Sequence, residues 1–178
     1  MSDVPPIPLR EFRWVETGGG ADVAARCLAF LAQVGIAVGP LSDPRQAQLL
    51  GGLAILGGRL LIDPATPVWP GDLLHEGGHI AVCDPALRPT LGPIAADGGD
   101  EMAAIAWSFA AAWACGVTLD QLFHDDGYSG DAATLRENFG AGRYFGVPLL
   151  ACWGMTRDPQ GRAAGDGPVF PAMRRWLR

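Results

Sequence analysis

Apolar residues recur at helical spacing through residues 21–38, where Val23, Cys27, Leu28, Leu31 and Val34 form one stripe. That stretch predicts an amphipathic helix, stopped by Gly39-Pro40. The pattern changes at residues 52–63, "GLAILGGRLLID", where two short apolar runs flank Gly57-Gly58. A two-residue hairpin turn needs positive φ, which glycine supplies without steric cost, so this stretch predicts two strands, the second ended by Asp63-Pro64. Pro70 then opens "PGDLLHEGGHIAV", whose Leu73, Leu74 and Ile80 are spaced for a helix beginning at the proline. Gly77 and Gly78 inside it cost roughly 1 kcal/mol each relative to alanine. Something other than local propensity must hold the helix there.

Residues 84–100 form a connection rich in proline and glycine. The run "MAAIAWSFAAAWACGV" at 102–117 is apolar all round. It falls short of the ~20 residues a bilayer requires, so it predicts a central buried helix over about residues 100–116. "TLDQLF" at 118–123 predicts a short helix with Thr118 as N-cap, and residues 129–142 another. Residues 143–155 fit either a strand or a buried helix. Residues 1–20 read as irregular, and 158–178 as a tail that either docks or stays mobile. The order predicts an α+β fold, mainly helical, in a single domain over residues 1–178.

Composition narrows the function classes. The hydrophobic fraction of 49% supports a sizeable core. The net charge is −6 and no basic run exceeds Arg174-Arg175, which argues against a nucleic-acid or anionic-membrane partner. All 13 basic residues are arginines, so Schiff-base and lysine-nucleophile chemistry are excluded. Cysteines 27, 83, 115 and 152 form no CxxC pair and sit in apolar surroundings, which predicts buried reduced thiols. "MSDVPPIPLREF" has neither the positive nor the apolar region of a signal peptide, so the expected location is cytoplasmic.

The candidate chemistry is "HEGGH" at 75–79, which contains two of the three histidines. Positions four apart lie on one helix face, so His75 and His79 can both point a ring nitrogen at one metal ion. Glu76 projects beside that ion, where it can take a proton from a metal-bound water. Zinc suits such a site, because it accepts nitrogen and oxygen ligands and keeps a position open for water. A third ligand is available in Glu101, 22 residues after His79 at the start of the long apolar helix. A carboxylate there needs a partner, because an unpaired buried charge is expensive. Interaction with the helix N-terminus is the alternative explanation for it, and Asp97 and Asp100 are alternative ligands.

HExxH followed by a glutamate on a second helix resembles the gluzincin arrangement. More narrowly, "GGRLLIDPATPVWPGDLLHEGGHIAV" and "DEMAAIAWSFAAA" resemble the strand, helix and second-helix patterns of the ImmA/IrrE type of minimal metallopeptidase. The similarity covers about residues 52–116, little more than a third of the chain. It implies a zincin-like minimal domain in which a short hairpin or sheet packs on the HExxH helix. It also implies zinc held by His75, His79 and Glu101, with Glu76 as general base and a protein or peptide as substrate. Gly77 departs from the pattern, which usually has a bulkier residue there.

A metallopeptidase also needs an oxyanion partner and an edge strand to hold the peptide. His124 and Tyr144 are candidates for substrate or oxyanion contact, with Tyr128 and Arg143 beside them. For His124 the plainer expectation is an exposed loop histidine. The strand at 59–63 is the candidate edge. "DDGYSGD" lacks EF-hand spacing, so no calcium is expected. The alternatives to a zinc hydrolase are a catalytically inactive zincin-like protein-binding module and a structural protein in which HEGGH is incidental. The oligomeric state is left open.

Overall fold

The computed structural model describes residues 9–43, 50–92 and 98–178. The chain is α+β and mainly helical. After two 3₁₀ turns and strand β1 (Arg13–Trp14) come helix α1 (Gly20–Gln33) and strands β2 (Val38–Pro40), β3 (Leu53–Leu56), β4 (Arg59–Ile62) and β5 (Pro67–Val68). Helices α2 (Pro70–Val82), α3 (Gly98–Cys115), α4 (Leu119–Leu122), α5 (Ala132–Gly140) and α6 (Val147–Cys152) follow.

The Gly57-Gly58 turn forms as its sequence predicts, with φ of 60° and 69°, and it joins β3 to β4 antiparallel. Two other expectations are corrected. The first helix stops at Gln33, because Gly35 at φ 86° reverses the chain, and Val38–Pro40 pairs as a strand parallel to β4. The sheet order is β2-β4-β3, so the strand expected at the edge, residues 59–63, is the central one. Both of its sides are occupied, and it cannot take a peptide.

Helix α2 is the centre of the fold. All of Pro70–Val82 is buried, and the helix packs against α1, α3, α4 and the β3-β4 hairpin. This close packing explains the glycines. A Cβ on Gly78 would lie 2.7 Å from the Ala104 carbonyl oxygen of α3, and one on Gly77 would lie 2.7 Å from Leu31 Cδ2 of α1. The propensity cost is offset by the burial that close approach permits. Pro70 opens the helix in its first turn. At the other end, Arg88 donates to the Ile80, Ala81 and Cys83 carbonyls, which α2 itself leaves without partners.

Helix α3 is buried through most of its length, but its last turn emerges and leaves Trp113 62% exposed. Thr118 and Gln121 form a capping box at α4. Residues 147–152, within the ambiguous stretch, are helical. The tail docks. Phe170 is buried, Trp176 meets Phe30 edge-on at 4.8 Å, and Trp107 Nε1 donates to the Trp176 carbonyl at 2.8 Å. Of the four cysteines, all free thiols, only Cys27 is buried; Cys83 and Cys115 are half-buried and Cys152 is exposed. Among the described residues no helix is long and apolar enough to cross a membrane.

Candidate metal centre

The four-residue spacing on α2 turns His75 and His79 to one side, and Glu101 meets them from the first turn of α3. The two Nε2 atoms are 3.3 Å apart. Glu101 Oε1 lies 3.5 Å from His75 Nε2, and Oε2 lies 3.3 Å from His79 Nε2. These three residues form a group able to hold a metal ion. Tetrahedral zinc with bonds of about 2.0–2.1 Å sets its donors about 3.3–3.4 Å apart. The two ring nitrogens and the two carboxylate oxygens therefore lie at about such separations, each imidazole facing a different oxygen of Glu101, and two imidazoles with a carboxylate are a donor set that zinc accepts. Of the alternative ligands, Asp97 lies outside the described residues. Asp100 is exposed and outside the group.

The surroundings set different protonation states. Burial, aided by the neighbouring His79, pushes His75 down to about 4, so it stays neutral. Burial also works against charge on His79, but the Glu101 hydrogen bond and the charges of Glu76 and Glu101 outweigh it and raise the pKa. Glu101 is lowered by the same hydrogen bond, against a smaller opposing effect of burial. His79 and Glu101 thus favour a proton held between them, which a divalent cation would replace. Glu76 is 2% exposed, and burial is the main cause that lifts it to about 7. Glu101, by contrast, has a side chain 38% exposed, so the site opens to solvent on its side.

A second polar pair adjoins the trio. His124 Nε2 donates to Asp72 Oδ1 at 2.8 Å, and the imidazole stacks on Trp69 with centroids 4.0 Å apart. His124 is therefore not an exposed loop histidine: it is 3% exposed. Asp72 is missing from the sequence-derived set. It stands four residues before Glu76, on the same side of α2 as His75 and His79, and burial raises its pKa despite the His124 hydrogen bond. The reasoning that singled out Glu101, a carboxylate where apolar residues are expected, would have found it. Gly127 lets the following loop pass His124 closely, since a Cβ there would lie 3.0 Å from the ring.

The aromatic candidates separate. Tyr128 places its ring 5.2 Å from that of His75. Tyr144 instead packs with Phe109, Phe139 and Phe170. Arg143 is exposed and bonds Glu137 and Asn138. Among the described residues, four buried side-chain polar atoms lack a hydrogen-bond partner: His75 Nδ1, Glu76 Oε2, His124 Nδ1 and Tyr128 Oη. All four belong to the metal candidates or to residues around them. Native proteins leave few such atoms, and their concentration in one place makes this the candidate site among the described residues. No family model, curated protein or solved structure matches the chain.

Proposed function

We propose that this chain is a zinc-dependent hydrolase, and specifically a metallopeptidase of the zincin-like type acting on a protein or peptide. The observation that carries the reading is the convergence of His75, His79 and Glu101: the two Nε2 atoms are 3.3 Å apart, with one Glu101 oxygen 3.5 Å from the first and the other 3.3 Å from the second. Those three residues would hold the ion. Zinc, when bound, acts as a Lewis acid and lowers the pKa of a coordinated water to about 7.

Glu76 is the proposed general base. Its Oε2 is buried without a partner, and its pKa near 7 lets it take a proton from the nucleophile and release it to the departing amine. Burial in a low-dielectric wall keeps that proton from exchanging freely with solvent. The exposed side of Glu101 offers the route by which a substrate reaches the site. His124, held by Asp72 and Trp69, and Tyr144, in its separate aromatic cluster, retain the role of candidate substrate contacts to different degrees. His124 adjoins the trio, whereas no ring contact of Tyr144 is with a ligand. The resemblance to the ImmA/IrrE type favours a peptide bond as the target.

The test has two stages. The purified protein, dialysed and then titrated, is expected to take up one zinc per chain, and His79→Ala none. Cleavage of a mixed peptide library, followed by mass spectrometry, is then expected in wild type and not in Glu76→Gln. No zinc uptake by wild type would sink the reading at its first step. Equal cleavage by Glu76→Gln would refute the assigned base.

A further inference from the structure

Tyr128 combines two unfavourable features that none of the described residues relieves. It is the only described residue other than glycine with positive φ, at 57°. Its hydroxyl is buried with no hydrogen-bond partner. Strained backbone and an unpaired polar atom persist where the surrounding structure enforces them, and their coincidence asks for a function. The ring is fixed by Phe123, at 5.2 Å and 79°, and stands edge-on to His75, at 5.2 Å and 74°.

His75 has the complementary need. Its Nε2 faces His79 and Glu101, so a metal held there leaves the ring proton on Nδ1. That Nδ1 is also buried without a partner. Metal-bound histidines almost always donate their second ring nitrogen to an oxygen, which fixes ring orientation and raises ligand basicity. Two of the four unpaired atoms, a donor-to-be and an oxygen, thus belong to rings packed edge to face, although the two atoms do not bond each other as the rings now stand. Glu76 Oε2 is the other unpaired oxygen, but consecutive helical residues project about 100° apart, which turns Glu76 away from the His75 edge.

We infer that Tyr128 is a positioning residue for the metal centre: its hydroxyl oxygen accepts the His75 Nδ1–H when Nε2 binds the ion. This rests on the zinc reading of His75, His79 and Glu101, and it makes Tyr128 a partner of the ligand rather than of the substrate.

The experiment compares zinc affinity, by competition with a chromophoric chelator, and melting temperature with and without zinc. Wild type, Tyr128→Phe and Glu76→Gln are measured. Tyr128→Phe removes one oxygen and keeps the ring. Zinc affinity is expected to fall about 10–100-fold. Without zinc the same variant is expected to melt no lower than wild type, and as much as about 2–4 °C higher, because an unpaired buried hydroxyl has gone. Glu76→Gln is expected to keep wild-type affinity. Opposite signs in the two forms distinguish this role from simple packing, which would lower both together. Wild-type zinc affinity in Tyr128→Phe overturns the proposal, as does a lower zinc-free melting temperature accompanying the weaker binding. A 10–100-fold loss in Glu76→Gln alone would move the role to Glu76. If wild type itself takes up no zinc, the hydrolase reading fails as well, and that outcome is visible before any variant is made.

Discussion

Two groups of buried polar side chains in this protein are finished to different degrees. In the C-terminal segment, Asp158 has a fully buried side chain with both oxygens occupied. Oδ2 accepts from the Arg162 backbone N–H and Nε, both at 2.9 Å, and Oδ1 from Arg162 Nη2 at 3.0 Å and the Gln160 N–H at 3.2 Å. Around His75, by contrast, the described residues leave four polar atoms without partners. The first group is complete within the chain and does structural work, closing the loop that leads into the docked tail. The second carries the cost of unpaired buried polar atoms within the chain.

The largest expected effect tests whether the unfinished group does chemistry. Glu76→Gln preserves size and much of the hydrogen-bonding capacity but cannot take a proton. Hydrolysis is expected to fall about 10²–10⁴-fold, the scale of a lost general base, with zinc uptake unchanged. Arg162→Ala is the matched change in the finished group and is expected to leave turnover per folded molecule at wild-type level. Peptide cleavage at saturating zinc measures both. Comparable losses in the two variants would erase the distinction.

Next in size is the stability contributed by the metal. Zinc at about 100 times its Kd should stabilise the folded protein by about 2.7 kcal/mol, through mass action on the native state. His75→Ala and His79→Ala are expected to abolish that increment, and Glu101→Ala to reduce it. Denaturant titrations with and without zinc give the numbers. Retention of the full increment by both histidine variants would mean that the ion binds elsewhere.

The finished group should respond to acid instead. Its guanidinium partner holds the Asp158 pKa below the usual carboxylate value. A carboxylate depressed in the folded state stabilises it fully above its unfolded pKa of about 3.9, and that contribution is lost as pH falls through the lower folded value. Arg162→Ala leaves Asp158 buried beside an unfilled space, at a cost of about 1–3 kcal/mol near neutrality. The Arg162 side chain is 38% exposed, so the lower half of that range is expected. The stability gap between wild type and Arg162→Ala should hold from pH 7 to about 5 and narrow below about 4. Urea midpoints across that range would show it, and a gap that widens in acid would contradict the assigned pairing.

How far these groups could be read from the sequence follows from how local they are. The HEGGH spacing, the Gly57-Gly58 turn, the Pro70 start and the Thr118 cap are set by neighbours a few residues apart, and each has a one-dimensional signature. Glu101 was legible for another reason: a carboxylate opening an apolar helix is conspicuous. The burial of His124 was not, because its partner Asp72 is 52 residues away. Docking of the tail depends on Trp176 meeting Trp107, 69 residues away. Strand β2 was hidden because Val38 falls on the helical stripe of α1 by chance, while Gly35 gives the actual stop.

The smallest expected effect concerns the scaffold that brings the unfinished group into the core. Propensity alone says that alanine at either Gly77 or Gly78 should stabilise α2 by roughly 1 kcal/mol. The packing predicts that the two positions differ. A Cβ at Gly77 meets the end of the Leu31 side chain at 2.7 Å, and a flexible side chain can turn aside. A Cβ at Gly78 meets the backbone of α3, 2.7 Å from Ala104 O and 3.2 Å from its Cα, and a buried helix backbone cannot move without taking its neighbours along. Gly77→Ala should therefore stay within about 1 kcal/mol of wild type, the propensity gain offsetting the Leu31 shift. Gly78→Ala should be destabilised by about 1–3 kcal/mol through overpacking. Because Glu101 rides on the helix that must retreat, Gly78→Ala should also weaken zinc binding, while Gly77→Ala should not. Equal stability and equal zinc affinity in the two variants would show that α2 and α3 are less closely packed than this, and that the spacing of the trio does not depend on the missing Cβ of Gly78.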